Sequence, residues 1–469
     1  MMLSALLNET PTQDIEISGI SADSRNVRKG DAFFAFKPEY IAEAKAKGAA
    51  AIIDSGNVRE KLAHAAARFY EAQPEEIVAV TGTNGKTSTV HFTRQVWEKL
   101  GHKAASLGTL GLVGSDVSQE GAMTTPDPIK LHEMLQNCAT KKITHLAMEA
   151  SSHGLHQHRL DGVKLKAAGF SNLTRDHLDY HGDMEAYRQA KFRLFSALLP
   201  QGAAAILNAD SEEFAALEKI CSARGLTIIS FGRQGKTIKL AAHEIVAEGQ
   251  KITLHYAGRE YDMVLKLAGR FQIDNILCAL CLVAHEKIED RTFVEKIFAI
   301  LPTLTGVPGR LQPVAGHKAG AHIYVDYAHT PDALEKALKA LRPHTAGKLV
   351  CLFGCGGDRD AGKRPLMAQI AALNADHVIV TDDNPRSEDP ASIRKQVLAG
   401  APTAEEIGDR RKAIQQAVAR LQKGDVLLVA GKGHEQGQIF ADRTEPFCDV
   451  TETEKAIQLI SGDDTRKQA

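Results

Sequence analysis

The chain carries almost no excess charge: 57 lysines and arginines stand against 58 acids over 469 residues. A net charge of −1 excludes broad electrostatic attraction to nucleic acid or to an anionic membrane, so any anionic ligand must be met by local clusters. Long apolar runs are also missing. None approaches the ~18 residues of a membrane span, and the N-terminus lacks a basic-then-apolar signal pattern. A cytoplasmic protein without a membrane span is expected. The seven cysteines (138, 221, 278, 281, 351, 355 and 448) are odd in number and scattered. That excludes a disulfide framework, and Cys351 and Cys355 have no second pair with which to form a zinc site. There is no low-complexity tract and no repeat of about 20–50 residues. What is present is ordinary for a globular chain, with 43% hydrophobic and 25% charged residues. It is too long for one core, and about two to four domains are expected.

Three segments follow from the pattern along the chain. Residues 1–77 hold short strand-like and helical pieces, including a helix over Val58–Ala72, and end near Gln73-Pro-Glu-Glu. Residues 78–311 open with the buried strand Ile77–Val80, a glycine loop and a helix from Lys86 to about Leu100. Strand candidates at His145–Met148, Ala167–Phe170 and Ala203–Leu207 follow. Next come a β-like patch over Thr237–Leu267 and a helix from about Arg270 to His285. Gly306-Val-Pro-Gly-Arg310 reads as a hinge. Residues 312–469 form a βαβ series, with strands at His322–Val325, Leu349–Phe353, His377–Val380 and Val426–Val429. Helices are predicted over 331–341, 363–374, 390–399 and 408–422. The fold class is therefore α/β, with a parallel sheet carrying a phosphate loop in the centre and a Rossmann-like C-terminal domain. Asp326-Tyr-Ala-His, Gly354–Arg359, Asp382–Arg386 and Gly431–Glu435 each follow a strand. The carboxyl edge is where open parallel sheets bind ligands.

Thr81-Gly-Thr-Asn-Gly-Lys-Thr87 lies between a strand and a helix. Its glycines allow backbone amides to face phosphate oxygens at a helix N-terminus. Lys86 adds a cation, and the Thr87 hydroxyl can ligate Mg²⁺. The spacing departs from the usual phosphate loop, whose first glycine would fall at Val80. Glu149 ends a strand, where it is either a metal ligand or a cap for the next turn. His153, His156 and His158 fit no standard helical zinc spacing, and a polar ligand loop is preferred. Asn172–Asp183 is dense in hydrogen-bonding groups, and nothing physical singles out Lys191 beyond it. Asp326 is an ordinary loop acid or a ligand. Arg359 and Arg386 are turn residues or two-pronged binders of a carboxylate or phosphate.

In this order, these motifs resemble the Mur ligase family of ATP-dependent amide-forming enzymes over essentially the whole chain. The resemblance rests on Thr81–Thr87, Thr124–Pro128, Glu149–Gly154, Asn172–Asp183, Lys191, Gly309-Arg310, Asp326–His329, Gly354–Arg364, Asp383–Arg386 and Gly431–Glu435. It implies ATP and Mg²⁺ as cofactors, a UDP-N-acetylmuramoyl dipeptide as acceptor, meso-diaminopimelate as the added amino acid, and a monomer serving peptidoglycan synthesis. Gly82, Thr83, Asn84, Gly85, Lys86, Thr87 and Ser88 would bind the ATP phosphates, and Asn275, Arg310 and Asp326 would surround the nucleotide. Lys86, Glu149, His177 and Lys191 would form the catalytic set. Thr87, Glu149 and His177 would hold or surround the metal, joined by Lys191 as an N-carboxylated lysine. Ser24, Thr124, Thr125, Ser151, Gln157 and Arg159 would meet the UDP-muramoyl peptide. Arg359, Asp383, Asn384, Pro385, Arg386, Gly431 and Glu435 would form the amino-acid pocket. One departure stands out: after Phe36, Lys37-Pro-Glu-Tyr40 passes almost directly into a helix, where the family has a loop that contacts uridine. Lysine-adding relatives lack the arginine at position 386, folylpolyglutamate synthetases do not match Asp383–Arg386, and a non-catalytic scaffold would have no use for Lys86, Glu149, His177 and Lys191 together.

Overall fold

The computed structural model describes residues 1–119, 121, 123–246 and 249–466. Contacts divide them into two units. The first comprises Met1–Ala242, Thr253–Asp262 and Ile273–Leu304; the second comprises His243–Ile252, Met263–Gln272 and the chain from Thr305 onward. This division is coarser than the three segments read from the sequence.

The first unit begins with a parallel three-stranded sheet of Gly19–Ser21, Asp31–Phe34 and Ala51–Ile53. Ala32, Phe34 and Ile53 bury against Leu62 and Ala65 of the helix Val58–Tyr70. In the main sheet, Glu76–Thr81 lies between His145–Glu149 and Ala167–Phe170, parallel to both. Ala104–Gly108 and Ala204–Asn208 extend it on either side. All four central residues of Ile77–Val80 are 0% exposed. A strand covered on both faces reads as a continuous apolar run rather than an alternation. The β-like patch resolves into Ile238–Val246, Gly249–Tyr256 and Arg259–Leu265.

In the second unit the strand order is Gln312–Val314, His322–Asp326, Val426–Ala430, Leu349–Phe353, His377–Val380 and Glu405–Glu406. Only the first pairing is antiparallel. Side chains alternate between two cores. Leu349, Cys351 and Phe353 face Leu334, Leu338 and Met367, whereas Val350 and Leu352 face Ile414 and Val418. The helices Pro331–Leu341 and Pro390–Leu398 start where predicted because local chemistry sets them, whereas the one predicted from 408 starts at Arg410. Thr330 and Asp389 cap helices whose first residues are Pro331 and Pro390, and each side chain accepts a backbone N–H. The four loops that follow parallel strands thus lie side by side on one sheet edge.

Arg410 is pinned beneath that edge. Its guanidinium donates to both carboxylate oxygens of Asp449 at 2.7 Å and to Ala430 O at 2.9 Å, and both side chains are 0% exposed. Asp449→Asn removes the counter-charge and leaves a buried cation, so a loss of about 3–5 kcal/mol is expected. A lower midpoint for the urea transition of the second unit checks this.

Candidate active site

In the first unit the phosphate loop is built by two glycines in the left-handed or extended positive-φ region, Gly82 at +146° and Gly85 at +86°. Neither position tolerates a side chain. A Cβ on Gly82 would lie 1.9 Å from Ser171 Oγ, and one on Gly85 would lie 2.2 Å from Asn275 Oδ1. Asn275, from the helix Phe271–Ala284, is therefore packed directly on the loop. The loop is also held from Asn172 to Thr174: Asn84 N donates to Asn172 Oδ1 at 3.0 Å, and Thr174 N donates to Thr83 Oγ1 at 2.9 Å. Ser171 Oγ donates to Asn84 O at 2.7 Å. Lys86 lies over its own loop, its ammonium donating to Gly82 O and Thr83 O at 2.9 Å each. Thr87 and Ser88 follow on the first helical turn, where free amides and the helix dipole favour an anion.

Lys191 is only 1% exposed and donates to Gly82 O at 2.8 Å. Burial first, then the neighbouring Lys86 charge, hold its pKa well below the usual lysine value, against a weaker pull from Asp176. Tyr187, one turn earlier, sits 4.5 Å from the Lys191 nitrogen and touches Thr83 Oγ1 at 3.1 Å. His177 adopts φ +52° and remains half-exposed beside Asp176. Its ring lies 4.9 Å from His153 and 6.2 Å from Tyr187. His181 belongs to the same group, 5.5 Å from His153 and 5.3 Å from Tyr187, and its buried Nε2 has no hydrogen-bond partner. Desolvation and the surrounding histidines push its pKa down to about 4.

Glu149, 1% exposed, ends the strand beside the phosphate-loop strand, directly across from Val80. Its carboxylate accepts from Thr109 N at 2.8 Å. Thr109 Oγ1 touches Thr124 Oγ1 at 3.1 Å, and Thr125 Oγ1 donates to Glu149 O at 2.9 Å. Ser151 N donates to Thr125 Oγ1, Arg159 donates to Thr125 O at 2.6 Å, and Arg159 also grips Gln157 Oε1 at 2.7 Å. Thr124, Thr125, Ser151, Gln157 and Arg159 are thus one hydrogen-bonded group around Glu149. Gln157 and Arg159 reach a cavity of about 890 Å³ whose other walls include Asp23, Arg28, Lys29, Phe36 and Arg59. Ser24 is turned away, its hydroxyl donating to Glu43 at 2.5 Å. The short Lys37–Tyr40 stretch is a single 3₁₀ turn, which leaves Phe36 41% exposed with the Arg59 guanidinium 4.6 Å from its ring centre.

In the second unit the strand-end loops converge on Lys432, which is 0% exposed. Its ammonium donates to Asn384 Oδ1 at 2.8 Å and Glu435 Oε2 at 3.0 Å, with Asp383 Oδ1 at 3.5 Å. Asn384 also donates to Glu435 at 2.9 Å. Asp382, by contrast, is paired with Arg394. Gly431 N donates to Asp326 O at 3.1 Å. Pro385 is buried, and the chain turns at Arg386, which adopts φ +52°. Arg386 donates to Gly357 O at 2.9 Å, while exposed Arg359 leans on Asp358 O at 3.3 Å, so both guanidiniums lie on one loop. That loop is anchored by Arg364, buried and bidentate to Glu388 at 2.8 and 2.9 Å. Asp326 accepts from Leu311 N at 2.6 Å and Ala328 N at 2.8 Å, and burial raises its pKa. Arg310 covers the Tyr327 ring at 5.1 Å.

The description "Mur ligase middle domain" matches residues 80–283, and "Mur ligase, glutamate ligase domain" matches residues 309–433. The UDP-N-acetylmuramoyl-L-alanyl-D-glutamate–2,6-diaminopimelate ligase of Caulobacter vibrioides is 50% identical, covering 98% of this chain and 99% of its own. The chain belongs to the Mur ligase family. The enzyme of the same name from Chelativorans sp. is 49% identical, covering 94% of this chain and 95% of its own. A solved structure of a ligase with that name superposes with a TM-score of 0.74 at 32% identity, covering 98% and 99% of the two chains. The MurF ligase of Thermotoga maritima, at 19% identity and a TM-score of 0.58, covers 94% of this chain and 97% of its own and shares the fold. In this Mur ligase, sequence reasoning missed Lys432, Tyr187 and His181. Tyr187 carried a signal, since it stands one turn before Lys191 on the same helical face. Lys432 stood inside the Gly431–Glu435 motif, but nothing in the motif's spacing singled it out.

Proposed function

We propose that the protein is the ATP-dependent ligase that adds meso-2,6-diaminopimelate to UDP-N-acetylmuramoyl-L-alanyl-D-glutamate, in the cytoplasm and as a monomer. The observation that carries this is Arg386 on the strand-end loop beside Arg359, with Asp383, Asn384, Lys432 and Glu435 adjacent. One region offers forked cations for a distal carboxylate and acids for the ammonium on the same carbon. Lysine has no such carboxylate. The name shared by relatives at about half identity supports the same reading. On this reading residues 1–77 serve the UDP moiety, 78–311 ATP and 312–469 the amino acid.

The reaction joins two anions first. The D-glutamyl carboxylate attacks the γ-phosphate of ATP, ADP leaves, and an acyl phosphate results. The diaminopimelate amine then attacks that carbonyl, and phosphate departs from a tetrahedral intermediate. Lys86, the amides of Gly82–Ser88 and the dipole of helix Lys86–Lys99 are aimed where negative charge gathers. Asn275 and the Asn172–Thr174 segment fix the loop so that little reorganisation accompanies transfer. Arg310 and Asp326 would face the nucleotide, Asp326 held rigid by its two backbone donors. The hydroxyl of Thr87 and the buried carboxylate of Glu149 are hard oxygen donors suited to Mg²⁺, with His177 near Tyr187. Lys191 as an amine does not suit that ion, whereas as an N-carboxylate it does. Bound there, Mg²⁺ would neutralise phosphate charge. Phosphate release that requires both the muramoyl dipeptide and diaminopimelate, with lysine a poor replacement, is the expected result. Release independent of both would sink the reading.

The walls of the large cavity suggest how this chain holds the UDP moiety without the longer loop. Phe36 offers a ring face, and Arg28, Lys29 and Arg59 offer charge to a diphosphate. Arg59→Ala is expected to raise KM for the UDP-linked dipeptide about tenfold, the loss of one charge-assisted contact. KM for ATP should stay unchanged, as initial rates at varied substrate would show.

A further inference from the structure

The opposite edge of the main sheet, where its strands begin, carries a second group of titratable side chains. Glu76 opens the strand that runs into the phosphate loop, and His145 opens its neighbour, directly across the ladder. His285 and Glu286 follow immediately on the helix Phe271–Ala284. At about 3.3 Å per residue, five steps separate Glu76 from Thr81 by about 16 Å. The group therefore belongs to neither the phosphate loop nor the UDP cavity.

Glu76, His285 and Glu286 each offer one ligand atom, and these atoms all lie within 4.8 Å of one another. His285 Nε2 is 2.7 Å from Glu76 Oε1, and the two side chains are only 8% and 16% exposed. With His102, His145 and Trp97 they line a cavity of about 120 Å³. His145 Nδ1 lies 2.8 Å from Thr144 Oγ1. A hydrogen bond on the far ring nitrogen is how metal-binding imidazoles are generally oriented. Lys287 also lines the cavity, but its ammonium is drawn over the Phe293 ring, 5.2 Å from the centre.

Imidazoles mixed with carboxylates suit a borderline cation such as Zn²⁺, whereas Mg²⁺ favours oxygen alone. We infer that Glu76, His285 and Glu286, in the cavity that His145 also lines, form a binding site for a Zn²⁺-like divalent cation on the sheet edge opposite the reaction. The ion would clip the C-terminal end of helix Phe271–Ala284 to the start of the phosphate-loop strand. Rotation of the exposed Glu286 side chain closes the ligand set. The clip takes no part in the chemistry.

The test is titration of the full chain with Zn²⁺ under saturating Mg²⁺, followed by calorimetry and by the thermal midpoint. Binding of one Zn²⁺ should weaken at least about tenfold in Glu286→Gln and in His285→Ala. The rise in midpoint that Zn²⁺ gives the unmodified protein should vanish in both. His153→Ala, in the histidine group of the other edge, should keep both responses. Because Glu286 is exposed, Glu286→Gln should fold and retain its Mg²⁺-dependent ligase activity in the absence of Zn²⁺, so a lost response there reports on the site. Zn²⁺ binding unchanged in both variants, binding lost in His153→Ala instead, or no response in the unmodified protein would each overturn the assignment.

Discussion

Arg386→Ala is expected to raise KM for diaminopimelate by about 100-fold or more while KM for ATP moves less than about twofold. The size follows from two parallel charge-assisted hydrogen bonds lost at once, leaving a desolvated carboxylate on the substrate. Arg386 is held for this work by backbone contacts alone: its guanidinium donates to Gly357 O and its own N–H to Ile439 O. Its φ of +52° costs a non-glycine residue energy and changes the chain direction at the strand end. Alanine meets the same backbone constraint, so the variant tests the guanidinium and not the turn. Arg386→Lys keeps the charge but not the fork, and an intermediate effect is expected. Lysine as substrate supplies the control. Having no second carboxylate, it should be used about equally by the original and variant proteins, so the preference for diaminopimelate collapses. Equal losses toward ATP and diaminopimelate would remove Arg386 from its assigned role.

The four longer parallel strands of the second unit were legible because their apolar runs are buried and flanked by polar turns, whereas the short, partly exposed Gln312–Val314 and Glu405–Glu406 were not. Leu349–Phe353 and His377–Val380 fall where their apolar runs predicted. The helices were legible from their caps, Thr330-Pro331 and Asp389-Pro390. Adjacency was not legible. Nothing in the spacing says that Val426–Ala430 inserts between His322–Asp326 and Leu349–Phe353, yet this order brings Gly431–Glu435 against Asp326 and Asp383–Asn384. Hence Lys432 was overlooked: a lysine between glycines reads as solvated until Asn384 and Glu435 close over it. Ser24 illustrates the converse. Its place in the motif survives, but its hydroxyl is spent on Glu43, a partner that pattern reading does not reveal. Asp382, grouped with Asp383 by sequence alone, faces Arg394 instead.

Lys191→Met is expected to lower kcat by about 10³ while leaving the fold intact, since the apolar stem fills the same buried space. The reason lies at Gly82. Its carbonyl receives both the Lys191 amine at 2.8 Å and the Lys86 ammonium at 2.9 Å. Two cations sharing one carbonyl in a buried site repel each other, which favours the neutral form of the more buried one. Lys191, shielded and depressed well below the ordinary lysine pKa, is that one. An unprotonated amine is the form that reacts with CO₂. The N–C bond that would form releases a proton and would leave an N-carboxylate, turning repulsion toward Lys86 into attraction. The same anion would add an oxygen donor for Mg²⁺ beside Thr87 and Glu149. Protein equilibrated with isotopically labelled bicarbonate should show a carbamate resonance, lost in Lys191→Met. Removing CO₂ should lower activity reversibly, and acetate should partly restore the variant by replacing the missing carboxylate. Full activity in protein shown to carry no carbamate would leave Lys191 as a structural amine and return the third oxygen to solvent.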